Sequence, residues 1–454
     1  MYLAYDDYRE TNNVAYLKEL TKIMENNNQI EPGLYEKYNV KRGLRNANGT
    51  GVLVGLTGVG DVYGYRLENG QKIPDEGKLY YRGYEIMSLI DGFQKDRRFG
   101  FEEICYLLLF GELPDQRKLS MFNQLLGENR KLPDGFTEDM VLKAPSPDIM
   151  NKLARSVLSL YCYDSNPDDL GLQNILRQSI ELIARFPTLI SYGYQAKARY
   201  YDQKSLHIHN PEPGMSTAEN ILAMIRPTSE FSRLEADVLD LALVLHAEHG
   251  GGNNSTFAAR VVTTTGTDTY SAMAAAVGSL KGGKHGGANI KVLEMMEDIK
   301  SNVKDWNNEA KVMAYLRKIV AGEASDGTGL IYGLGHAIYT LSDPRAVRLK
   351  QKAVELAQEK GLEEEIALYE AVERLGPEAL GKGKMAANVD FYSGFVYRAL
   401  DIPKELFTPI FAASRISGWC AHRIEELVSQ GKIIRPAYKN VLEIRPYVTL
   451  DGRA

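Results

Sequence analysis

The chain has 454 residues, with 54 Lys and Arg against 59 Asp and Glu, a formal charge of −5. That balance gives no electrostatic footprint for nucleic acid or an acidic membrane surface, and no run of about 18 apolar residues is present to span a bilayer. Hydrophobic content of 44% and charged content of 25% are those of a globular protein with ample chain for a large core.

The opening MYLAYDDYRE lacks the basic and apolar regions of a secretory signal, which leads to the expectation of a cytoplasmic protein. Val14 to Met24 repeats Val14, Leu17, Leu20 and Ile23 on one helical face. The stretch VKRGLRNANGTGVLVGLTGVGDVYGY follows and is the most strand-like part of the chain. Asn48-Gly49 is a hairpin signal there, and Val52 to Leu56 is a candidate strand, with Leu79 to Tyr84 a second. From Phe101 onward the pattern is helical. Segments are expected at Ile149 to Tyr161, Leu172 to Ala198 (kinked at Pro187), Thr217 to Ile225, Ser229 to His249 and Tyr270 to Leu280. Further segments are Asn289 to Ile299, Glu309 to Val320, Pro344 to Lys360, Leu362 to Leu375 and Asp390 to Leu400. Pro403 to Gln430 closes the series, with a break expected near Gly418. Gly376, Pro377, Gly381 and Gly383 read as a flexible loop before Asp390. Strands do not alternate with helices, so a parallel α/β sheet is not expected; the class is mainly α with a small N-terminal β element.

Three cysteines, Cys105, Cys162 and Cys420, form neither a disulfide framework nor a metal pattern. The chemistry gathers around histidines set in glycine. GSLKGGKHGGAN, residues 278–289, carries five glycines around His285. Gly278, Gly283 and Lys284 match G-x-x-x-x-G-K, but His285 stands where a nucleotide-binding loop requires Ser or Thr. LHAEHGGGNNS contains His246 and His249, three apart, a spacing that shares a helix face. No third ligand accompanies them and the glutamate lies between them rather than in H-E-x-x-H, so no metal is assigned; capping of a helix end is their plain alternative. GLGHAIY presents His336. It runs into SDPRA, where Asp343 caps a helix, Pro344 takes its first position and Arg345 opposes the helix dipole. A carboxylate clamp is a better reason for that arginine than stability. Asp390 in NVDFYSG is either a helix cap or a general base. Arg415 in SRISGW and Arg435 in IIRPAY are further clamp candidates, with ordinary salt bridges as the alternative.

Taken together, LHAEHGGGNNSTFAAR, GGKHGGAN, GLGHAIYTLSDPRA, NVDFYSG, SRISGW and Arg435-Pro436 resemble the citrate synthase family in order and spacing. GLRNANGTGVLVGLT and YYRGYEI resemble its N-terminal region, so the similarity runs from about Gly43 to Pro436. The resemblance implies a two-domain helical homodimer. Residues 1–288 with 402–454 would form a large domain, and 289–401 a small one closing over the substrates. It implies condensation of acetyl-CoA with oxaloacetate and water, with no cofactor beyond the CoA thioester substrate. Carried over by motif, His285 and Asp390 activate the acetyl group and His336 the oxaloacetate carbonyl. His246, Arg345 and Arg415 hold oxaloacetate, and Arg435 reaches in from the partner subunit. His285 is expected to be neutral, because it precedes a helix N-terminus. Where many relatives carry a basic residue four positions after the third histidine, this chain has Thr340; Arg45, Lys382 and Lys384 are the remaining candidates for CoA, and Lys284 has no assigned role. The rivals are a 2-methylcitrate synthase using propionyl-CoA, a P-loop nucleotide hydrolase at residues 278–284, and a non-catalytic binding protein of the same fold.

Overall fold

The computed structural model describes residues 13–383 and 385–453. They fall into two compact units, residues 13–55 with 69–71, and residues 56–68 with 72–383 and 385–453. In the first, α1 (Asn13–Asn27) occupies the segment expected from its periodicity, and α2 (Pro32–Lys37) follows with proline in its first turn. Asn46 and Thr50 bond to each other across the turn at Gly49, closing a bridge between Arg45 and Gly51. The expected strand over Val52 to Leu56 does not form, and Leu53 and Leu56 are both exposed.

The strands are β1 (Gly60–Glu68), β2 (Gln71–Tyr81) and β3 (Tyr84–Glu85), in the order β1-β2-β3. Their sharp turn is Asn69-Gly70, with φ of 51° and 78°, the positive-φ pair that two-residue hairpins favour. The hairpin signal at Asn48-Gly49 therefore has a stronger counterpart 21 residues later.

The helices of the second unit begin with α3 (Ile86–Lys95), α4 (Phe101–Phe110), α5 (Gln116–Glu128), α6 (Ile149–Leu160) and α7 (Leu172–Tyr200), the last continuing through Pro187. Then come α8 (Thr217–Ile225), α9 (Arg233–His246), α10 (Asn254–Thr263), α11 (Thr269–Lys281) and α12 (Ala288–Asn302). The last are α13 (Glu309–Val320), α14 (Pro344–Lys360), α15 (Glu363–Ala379), α16 (Val389–Ala399) and α17 (Phe407–Val428). Helix α9 starts later than Ser229, which sits at φ 58°. Ser232 and Glu235 form the reciprocal capping box instead, satisfying two orphan amides at once. Helix α15 runs through Gly376 and Pro377, so the loop expected there starts only after Ala379.

Helix α17 is buried almost all round, with every residue from Phe407 to Arg423 except Phe411 inside the core, as befits a central core helix. It packs on α4, α7, α9, α10 and α11. It does not break at Gly418. A β-carbon there would lie 2.5 Å from the Ala247 carbonyl oxygen, so the glycine admits the turn that follows α9 against the helix. A second group, α12 to α16, is joined by contacts of α13 with α15, α14 with α16 and α12 with α16. Among the described residues, no helix is long and apolar enough to cross a membrane.

Candidate active site

The turn after α9 supplies the first wall. His246 ends the helix; its Nδ1 donates to the Ala242 carbonyl at 2.7 Å, and its ring meets Phe411 edge-on at 4.6 Å. Because α9 ends there, His249 does not share a helix face with it. The His249 ring lies 5.2 Å from His336 and 5.6 Å from Tyr339. The Nε2 atoms of both His246 and His249 are buried without a partner. Burial pushes His246 down to about 3 and His249 well below the usual histidine range, with Arg345 and Arg415 adding to the effect; both rings are neutral near pH 7. Tyr81 holds the turn, its hydroxyl donating to the carbonyls of Val244 and Glu248 at 3.0 and 3.2 Å.

Arg415, on α17, is fully buried. Its Nε donates to the His246 carbonyl at 2.6 Å and its guanidinium lies 4.7 Å from the Phe411 ring centre. Both terminal nitrogens are buried with no hydrogen-bond partner. Burial lowers it to about 10, and the Glu248 carboxylate opposes that shift. A buried guanidinium with two unspent nitrogens is costly by itself and suited to receive a carboxylate.

The loop between α13 and α14 carries His336. Its Nδ1 accepts from the amides of Ile338 and Tyr339 at 3.1 and 3.2 Å. A nitrogen that accepts twice carries no proton, so in the neutral ring Nε2 is the donor. Arg345 follows in the first turn of α14 and is also buried. Its Nε and one terminal nitrogen bind the Asp343 carboxylate at 3.0 and 2.8 Å, while Asp343 also caps the helix. Burial works against the Arg345 charge, but Asp343, Tyr339 and Asp390 together more than offset it.

His285 lies between α11 and α12, its amide bonded to the Gly282 carbonyl at 2.8 Å. Its Nε2 is 3.0 Å from the Ser255 hydroxyl, which accepts the Trp419 indole N–H at 3.2 Å and lies 2.8 Å from the Asn253 side-chain oxygen. Burial pushes His285 down to about 4, and the Arg415 charge adds to it. The ring is neutral near pH 7, with burial the first cause, and the helix beginning at Ala288 follows three residues on. That loop follows helix α11 where a phosphate-binding loop needs a strand, which removes the P-loop reading. Lys284 beside it is exposed.

Asp390 is not the cap of α16. Asn388 is, accepting from the Asp390 amide at 3.0 Å, which leaves the Asp390 carboxylate outside the capping role. Burial raises Asp390 to about 6 against the charge of Arg345. Arg415 also lies within electrostatic reach of both Asp390 and His285. The structure therefore groups His249, His336, Tyr339, Arg345, Arg415 and Asp390, with His285 tied in through Arg415.

The remaining candidates stand apart. Arg435 and Lys382 are exposed, and Lys384 lies outside the described residues. Arg45 belongs to the first unit, where it donates to the Gly49 carbonyl at 3.3 Å. Sequence reasoning missed Ser255 and passed over His249. Ser255 carries no signal of its own, because its position near His285 is created by α10 packing on α11. His249 was legible in the H-x-x-H spacing once the helix was ended at its first histidine.

Residues 49–437 match the family model for the citrate synthase C-terminal domain. The chain is 35% identical to citrate synthase of Synechocystis over 361 residues, covering 80% of this chain and 84% of that one. It is 32% identical to 2-methylcitrate synthase 2 of Corynebacterium glutamicum over 368 residues, covering 80% and 88%. Among solved structures it is similar to citrate synthase from Thermoplasma acidophilum in ternary complex with carboxymethyl coenzyme A and oxaloacetate. That similarity has a TM-score of 0.75 and 26% identity, covering 91% of this chain and 99% of that one.

Proposed function

The chain belongs to the citrate synthase family, and from that membership we propose that it condenses acetyl-CoA with oxaloacetate and water to give citrate and CoA. The observation that carries this reading is the unspent Arg415 fork within electrostatic reach of Asp390, a carboxyl raised to about 6. One fits an anionic substrate; the other is a base strengthened for a weak carbon acid.

Asp390 takes a proton from the acetyl methyl group. His285, neutral, donates to the thioester oxygen as charge develops on it. For that donation from Nδ1, Nε2 must accept from Ser255, so the Ser255 proton turns toward His285 and away from Asn253. The enolate carbon then attacks the oxaloacetate ketone, forming the carbon–carbon bond. The His336 Nε2–H polarises the ketone and gives its proton to the developing alkoxide, which becomes the citryl-CoA hydroxyl; the ring recovers a proton from the solvent before the next turnover. Water cleaves the resulting citryl-CoA to citrate and CoA. Arg415 and Arg345 hold the two substrate carboxylates. We assign His249 rather than His246 to the substrate, because His249 is in ring contact with His336; His246 supports Arg415 through its carbonyl.

The same reading takes residues 289–401 as a small domain that closes on the remainder and excludes water until the carbon–carbon bond has formed. It also takes the protein as a cytoplasmic homodimer with Arg435 acting across the interface. Arg45, Lys382 and Lys384 are the CoA contacts under this proposal. Release of free thiol from acetyl-CoA in the presence of oxaloacetate, absent without it, tests the reading. His249→Ala is expected to raise KM for oxaloacetate more than His246→Gln does.

A further inference from the structure

Thr340, the residue at which this chain lacks a basic side chain, has an internal partner. Its hydroxyl donates to the Gly64 carbonyl on β1 and lies 3.4 Å from the Asp75 carbonyl on β2. Two residues on, the Ser342 hydroxyl accepts from the Gly77 amide at 3.1 Å and donates to the Glu76 carboxylate. The backbones meet without intervening side chains. A β-carbon on Gly64 would lie 2.7 Å from Tyr339 Cα and 2.8 Å from the Ile338 carbonyl carbon. One on Gly77 would lie 2.7 Å from the Tyr339 ring and 3.0 Å from Pro344. Strands β1 and β2 therefore rest directly on residues 338–344.

That segment begins with the two amides that fix His336. Ile338 and Tyr339 donate to its Nδ1, and the backbone at both residues is what Gly64 touches. The strands thus press on the donors that keep the proton on Nε2. If the segment lifts, the ring loses both its orientation and its tautomer. Of the groups that hold the oxaloacetate carboxylates, Arg415 lies on α17 and Arg345 is fixed by Asp343 at the far end of the segment, so binding is less dependent on the Thr340 contact than the chemical step.

We propose that β1 and β2 form a positioning clamp for His336, fastened by the Thr340 hydroxyl. The proposal rests on the reading of His336 as the group that polarises the ketone. Thr340 is a positioning residue; it acts on the reaction through the loop.

The test compares Thr340→Val, which keeps the shape and removes the hydroxyl, with Thr340→Ser, which keeps the hydroxyl. Gly64→Ala is a second way of lifting the loop, and His336→Ala is run beside them. A misplacement near 1 Å costs about 100-fold in rate. Thr340→Val is expected to lower kcat about 10-fold and Gly64→Ala about 100-fold. KM for oxaloacetate should change by less than about threefold, a far smaller part of the effect, and Thr340→Ser should retain most of the wild-type kcat. Melting temperatures of the Thr340 variants should fall by only a few degrees, about the loss of one hydrogen bond. If Thr340→Val keeps wild-type kcat, or if Thr340→Ser falls as far as Thr340→Val, the clamp is refuted while an inactive His336→Ala leaves the site reading standing. If His336→Ala keeps wild-type kcat, the site reading falls and the clamp with it.

Discussion

The chemistry turns on single ionisations. Asp390 must be ionised to act as a base, so kcat/KM is expected to fall as pH drops through about 6. His285 near 4 stays neutral across that limb. The same raised carboxyl has a cost in stability. A folded-state value above the ordinary carboxylate value means that the folded protein binds the proton more tightly, so its contribution to stability is full below about pH 4 and declines as pH rises toward about 6. Asp390→Asn should therefore abolish condensation, by about 1,000-fold or more in kcat, while raising the melting temperature at pH 7. A lowered melting temperature would contradict the account of its environment. Ser255→Ala removes the hydroxyl facing His285 Nε2 and should lower kcat about 10- to 100-fold with oxaloacetate binding unchanged, as measured by calorimetry. The motifs named His285, His336, Asp390, Arg345 and Arg415 from sequence. Ser255 and the ring contact of His249 depend on how separate helices pack, which no local spacing records.

At the scale of elements, helices with strong caps and clear periodicity were legible from sequence. Thr217–Ile225, Glu309–Val320 and Pro344–Lys360 fall where the pattern placed them. The errors came from reading glycine as punctuation. Gly376 and Gly418 lie inside continuous helices because tertiary packing outweighs their low helix propensity. The strands lie later than expected because the sharp hairpin turn is Asn69-Gly70 and not Asn48-Gly49. Gly418 gives a direct check. Alanine would gain about 0.5–1 kcal/mol of intrinsic helix stability, but its β-carbon would meet the Ala247 carbonyl at 2.5 Å. Overpacking of that kind costs about 1–3 kcal/mol, so Gly418→Ala should destabilise the protein in urea unfolding despite the better helix former.

For the whole molecule, the proposed dimer makes Arg435 a matter of which subunit it serves. Arg435→Ala alone should raise KM for oxaloacetate about 10-fold or more, since a charged hydrogen-bond partner is lost. Hybrids of Arg435→Ala and Asp390→Asn subunits distinguish the two arrangements. If the arginine crosses the interface, each hybrid contains one site with both native residues and activity returns; if it acts within its own subunit, no site is whole. The central claim concerns the acyl substrate, because the chain is similar to both citrate and 2-methylcitrate synthases and one methylene is worth only about 1–3 kcal/mol in a pocket. The most direct measurement is steady-state thiol release with oxaloacetate and either acetyl-CoA or propionyl-CoA. The account predicts the larger kcat/KM with acetyl-CoA; a larger value with propionyl-CoA, or no thiol release from either, would contradict it.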